Sequence, residues 1–89
     1  MTFPVVKKLE QLALYMRPSC PYCLKVQSFC DNQNLVVALK NIAEGEHLEA
    51  LMTGGGKRQV PCLKITTDDG VEFWMYESLD IINYLQHFK

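Results

Sequence analysis

Two prolines, Pro18 and Pro21, between an apolar run and a helix-like pattern set the strongest constraint on how this chain folds. "LALYM", Leu12 to Met16, is an apolar run that ends at Arg17-Pro18, and Pro21 opens a segment with helical periodicity. Proline cannot continue a central strand, yet it is well suited to the first turn of a helix, where its missing N–H would have no partner. The sequence therefore predicts a buried strand at Leu12–Met16, a short turn, and a helix from Pro21, with Cys20 at the junction and Cys23 one turn inside. Within the segment Pro21–Gln33, Cys23, Val26 and Cys30, with Leu24 and Phe29, recur at three and four residues, so the helix has one buried face. "DNQN", Asp31–Asn34, supplies the turn residues that end it.

"LVVALKNI", Leu35–Ile42, is rich in β-branched residues and predicts a second strand, parallel to the first across the helical crossover. Glu44–Gly56 carries Leu48, Leu51 and Met52 at helical spacing before three glycines, which predicts a short second helix ending in a flexible loop. "VPCLKIT" and "VEFWMY" read as strands separated by "TDDG", whose Asp69-Gly70 pair signals a hairpin. "ESLDIINYLQHFK" predicts a last helix with Leu79, Ile82, Leu85 and Phe88 on one stripe. The expected order is β-α-β-α-β-β-α, an α/β domain with a four-stranded mixed sheet flanked by helices. Residues 1–11 are expected to be an N-terminal extension and residues 12–89 the domain.

Composition narrows the function classes. Eighty-nine residues, 48% of them hydrophobic and 21% charged, suit one small folded domain with one site. A formal net charge of −1 without a basic stripe excludes a nucleic-acid partner. Apolar runs far shorter than the roughly 20 residues of a membrane span exclude a membrane segment. Lys7 and Lys8 follow the apolar "FPVV", the reverse of a secretory leader, so a cytoplasmic, reducing location is expected. There, four cysteines are better read as thiols, ligands or catalysts than as a disulfide framework.

A thiol at a helix N-terminus is placed for chemistry, because free N–H groups and the positive end of the helix dipole stabilise the nucleophilic thiolate. The dipole contributes about 0.3–1 kcal/mol, at best about 2, whereas lowering a thiol pKa by two units takes about 2.7 kcal/mol. Arg17 and the Cys23 thiol are the nearest supplements, which makes Cys20 an exposed low-pKa nucleophile and Cys23 a more buried resolving thiol. Zinc is disfavoured: a four-coordinate site needs a second close pair, and Cys30, Cys62, His47 and His87 offer none at ligand spacing, so no metal is expected. Cys30 and Cys62 read as small buried core residues.

"CPYC" at Cys20–Cys23, "QVP" at Gln59–Pro61 and "MYESLDIINYL" at Met75–Leu85 together resemble a glutaredoxin of the dithiol type. They are most similar to the N-terminal domain of glutathione-transferase-like bacterial glutaredoxins, from about Leu12 to Phe88. The resemblance implies a thioredoxin fold and a thiol–disulfide oxidoreductase that uses glutathione as co-substrate, with no tightly bound cofactor and with glutathionylated or disulfide-containing proteins as partners. It also implies a cis Val60-Pro61 bond that lets the Val60 backbone pair with the cysteinyl part of glutathione. Glu77 and Ser78 would hold the γ-glutamyl moiety, although read without the family they are helix caps. Arg17, Tyr22 and Gln59 complete the expected glutathione groove, with Lys57 and Arg58 as candidate partners of the glycine carboxylate. The larger relatives continue into an all-helical second domain; this chain is expected to be a stand-alone monomeric domain or a detached relative. Rival readings are a thioredoxin-like protein reduced by a reductase, a glutathione-ligated iron–sulfur cluster carrier, and a non-catalytic adaptor.

Overall fold

Apolar residues on alternating and helical spacings assemble one four-stranded sheet in the computed structural model, which describes residues 3–88. After a 3-10 turn at Leu9–Gln11 come β1 (Leu12–Met16), α1 (Pro21–Asn32), β2 (Ala38–Asn41), α2 (Gly45–Gly55), β3 (Cys62–Thr66), β4 (Glu72–Met75) and α3 (Ser78–Leu85), which runs on into a 3-10 turn at Gln86–Phe88. The strand order is β2-β1-β3-β4, with β1 parallel to β2 and antiparallel to β3, and β3 antiparallel to β4. The predicted element order and mixed sheet are both present.

One face of the sheet carries the main core, in which Leu12, Leu14, Leu63 and Ile65 meet Cys23, Val26 and Cys30 of α1 and Ile81, Tyr84 and Leu85 of α3. The other face holds a smaller cluster of Tyr15, Ile42, Leu51 and Cys62, closed by Trp74 and Tyr76. Two helices on one face and one on the other leave the end of the sheet where β1 runs into α1 open to solvent. Met1, Thr2 and Lys89 lie outside the described residues. Within the expected extension, Val6 is buried in the main core, and its N–H donates to the Tyr84 hydroxyl, which itself donates to the Pro4 carbonyl.

One predicted boundary and one predicted helix face are corrected. The second strand begins at Ala38, not Leu35, because the register pairs Ala13 with Ala38 and the chain ahead of β1 is a 3-10 turn with no edge to offer. Asn34, at φ 57°, turns the chain, and Leu35 closes the end of α1 by donating its N–H to the Cys30 carbonyl. In α3 the buried stripe is Ile81, Tyr84 and Leu85, while Leu79 is 63% exposed and Ile82 only partly buried. Both stripes satisfy helical spacing, and only packing against α1 selects between them.

The glycine run has a specific use. A Cβ at Gly54 would enter the Trp74 ring, with Cε2 at 2.6 Å, whereas one at Gly45 would meet nothing within 4 Å. Gly54→Ala should therefore lower stability by about 1–3 kcal/mol through overpacking. Gly45→Ala, at the exposed start of the same helix, should be neutral or gain up to about 1 kcal/mol. Urea unfolding of the two variants checks this, and equal midpoints would show that α2 does not depend on close approach to β4.

Candidate active site

Cys20 is the N-cap of α1, in an extended conformation, and its carbonyl accepts the first helical hydrogen bond from the Leu24 N–H at 3.0 Å. Pro21 at the next position leaves no orphan donor there, and the Cys23 N–H reaches the Cys20 sulfur at 3.4 Å. Partial burial works against the charged form of Cys20, but hydrogen bonds from the Cys23 thiol and the Cys23 and Tyr22 N–H groups, with the Arg17 guanidinium, outweigh it and hold this thiol below its ordinary value. Cys23 is fully buried, and burial, reinforced by the neighbouring Cys20 sulfur, pushes its thiol up to about 12. The two thiols of the motif are thus driven apart, one toward thiolate and one toward a protonated hydrogen-bond donor. Cys20 is partly buried rather than fully exposed.

The loop that carries Gln59 and Val60 faces this helix end. The Val60-Pro61 bond is cis, and the Val60 carbonyl lies 3.9 Å from the Cys20 sulfur. Two clefts meet at this loop. One, of about 370 Å³, is lined by Tyr22, Gln59, Val60, Pro61, Glu77 and Ser78. The other, of about 390 Å³, is lined by Arg17, Ser19, Cys20, Pro21, Ile42 and Arg58 together with the same Gln59 and Val60. Every predicted site residue except Lys57 and the buried Cys23 lines one of the two. Glu77 is the N-cap of α3, and its side chain makes no capping hydrogen bond.

Lys57 is not brought to either cleft; its ammonium stands 5.4 Å above the Tyr76 ring. Ser19 and Ile42 were not anticipated. Ser19 directly precedes the motif and could have been found from it, whereas Ile42 arrives only because parallel pairing brings the end of β2 beside the end of β1. Cys30 and Cys62 are buried, as expected, and burial raises both thiols. The metal-sized cluster found among the described residues, Glu44, Glu46 and His47, contains no cysteine and lies at the start of α2.

Comparison with known proteins places this geometry in context. A family model described as "Glutathione S-transferase, N-terminal domain" matches residues 14–88. Glutaredoxin 1 of Rickettsia felis is 32% identical over 56 residues, covering 60% of this chain and 55% of the relative. Glutaredoxin 1 of Rickettsia prowazekii is 30% identical over 56 residues, covering 60% and 59%. The match thus spans little more than half the length of these curated relatives. Among solved structures, a trimeric glutathione transferase of Leishmania superposes with TM-score 0.69 at 23% identity, over 86% of this chain and 17% of that one. A thioredoxin-like protein gives 0.64 at 19% identity over 83% and 97%, and a glutaredoxin from Brucella melitensis 0.54 at 16% over 89% and 80%. These structural likenesses establish a thioredoxin-like fold.

Proposed function

This chain belongs to the family of glutathione S-transferase N-terminal domains and is glutaredoxin-like, and from that premise we propose that it is a glutathione-dependent thiol–disulfide oxidoreductase. The observation that carries the reading is the polarised thiol pair: a lowered Cys20 at a helix N-cap, opening onto a cleft that shares Gln59 and Val60 with a second cleft ending at Glu77 and Ser78. A low-pKa thiol beside a tripeptide-sized groove suits attack on a glutathione disulfide.

In the proposed binding mode the free Glu77 carboxylate takes the glutathione amino group, while the Ser78 hydroxyl and the first N–H groups of α3 take the γ-glutamyl carboxylate. The Val60 backbone pairs with the cysteinyl residue, and Arg17 and Arg58, the cations lining the cleft around Cys20, receive the glycine carboxylate. Gln59 and Tyr22 wall the groove.

In the proposed reaction the Cys20 thiolate attacks the glutathione sulfur of a mixed disulfide. A Cys20–glutathione disulfide forms, and the target leaves as a thiolate that takes up a proton. A second glutathione thiolate then attacks the glutathione sulfur held on Cys20, releasing oxidised glutathione and restoring the Cys20 thiolate. For a protein disulfide, Cys20 attacks first and Cys23, once deprotonated, displaces the target, leaving a Cys20–Cys23 bridge that two glutathione molecules reduce. No described helix is long and apolar enough to cross a membrane; the proposed partners are glutathione and thiol proteins, met by a monomer.

The test pairs turnover with titration. Wild type should reduce a glutathionylated peptide with saturation in the peptide. Alkylation of Cys20 should quicken as pH rises and reach half its plateau below about 8.5, the value of a free thiol, because only the thiolate reacts. Cys23 should stay unmodified in that range. Absence of turnover, or a Cys20 midpoint at or above the free-thiol value, would sink the reading.

A further inference from the structure

Tyr76, immediately before the Glu77-Ser78 pair, touches neither cleft, yet its hydroxyl sits at the foot of the loop that both clefts share. It donates to the Lys57 carbonyl at 3.3 Å. Cys62, at the other end of that loop, is fully buried in the cluster against which Tyr76 packs. Tyr76 thus joins the two ends of the segment Arg58–Pro61, its side chain packed on the cluster that holds Cys62 and its O–H donating to the Lys57 carbonyl. Gly55 makes room for it: a Cβ there would occupy the place of the Tyr76 hydroxyl and stand 3.1 Å from the ring carbon that bears it. The Lys57 ammonium stands over the Tyr76 ring, a cation–π contact on the same side chain.

We infer that Tyr76 is a positioning residue of the glutathione groove, its hydroxyl clipping the Lys57 end of the loop to the cluster that holds Cys62 so that Gln59 and Val60 are held in place against Cys20. The inference rests on the glutathione reading above and adds to it a residue outside the motif contacts. Without the clip the loop must be ordered by the ligand, and that cost falls on binding rather than on the sulfur chemistry.

Tyr76→Phe, which removes only the hydroxyl, should raise KM for the glutathionylated peptide about 3- to 10-fold, the worth of a net hydrogen bond, with kcat within about twofold of wild type. The Cys20 alkylation profile should not move, since the clip does not touch that thiol. Backbone ¹⁵N order parameters at Arg58, Gln59 and Val60 should fall. Gly55→Ala should produce the same loss by displacing the hydroxyl. The double variant should lose less than the sum of the two single losses, because the hydroxyl that Gly55→Ala would displace is already gone and only the tight contact with the ring carbon remains. Additive losses, or an unchanged KM in an active protein, would overturn the inference. If wild type does not turn over, it is the glutathione reading that fails; unchanged order parameters in Tyr76→Phe would then overturn the clip on their own.

Discussion

Cys20→Ser should reduce glutathione-dependent turnover to background, a loss on the order of a thousandfold or more, as removal of a covalent nucleophile commonly causes. A serine hydroxyl at the same N-cap keeps the hydrogen bond from the Cys23 N–H and so keeps the helix start intact. What disappears is the ionisable sulfur, since neither the α1 N–H groups nor Arg17 can bring a hydroxyl to its anion near neutral pH. Cys23→Ser separates the two routes. Its hydroxyl still sits one turn into α1, so reduction of a glutathionylated peptide should persist within about tenfold of wild type, while reduction of a protein disulfide should fail for want of a resolving thiol. Steady-state rates of the three proteins on both substrates decide the matter. Loss of both activities in Cys23→Ser would mean that the second thiol is required for the monothiol step, and inactivity of wild type itself would favour the thioredoxin-like, cluster-carrier or adaptor readings.

The largest structural effect is expected at Ile81. Its side chain is fully buried between α3, α1 and the sheet, so Ile81→Ala should cost about 2–5 kcal/mol. A domain of 89 residues has roughly 4–13 kcal/mol to lose. The variant should therefore melt at least about 10 °C lower, with the low end of that stability range leaving it substantially unfolded at room temperature. Leu79→Ala, two positions earlier on the exposed face, should shift stability by no more than about 0.5 kcal/mol. Denaturant midpoints at constant slope measure both. A Leu79 loss as large as that of Ile81 would restore the stripe that periodicity alone suggested and contradict the observed packing of α3.

That pair of residues illustrates where sequence reading stops. Helical spacing in "ESLDIINYL" admits two stripes, and nothing within the helix prefers Ile81, Tyr84 and Leu85 over Leu79 and Ile82. The choice comes from α1 lying alongside and from Tyr84 meeting the N-terminal arm through Val6 and Pro4. The second strand is a similar case: Leu35–Val37 have strand-like side chains, but a strand needs an edge to pair with, and β1 begins too late to provide one.

The sequence by itself determined the features that arise within a few residues of one another. Pro21 after Cys20 sets a thiol on a helix N-cap, Asp69-Gly70 turns β3 into β4 with Gly70 at φ 86°, and the order of strands and helices follows from apolar spacing. These depend on local backbone preference, which a short window of sequence contains. Only the tertiary structure decided that Val60 stands 3.9 Å from Cys20, that Ile42 walls the same cleft, and that Gly55 and Lys57 converge on the Tyr76 hydroxyl. Those contacts join segments whose spacing along the chain carries no periodic signal. They exist because sheet register and close packing bring the segments together, and both are properties of the whole fold.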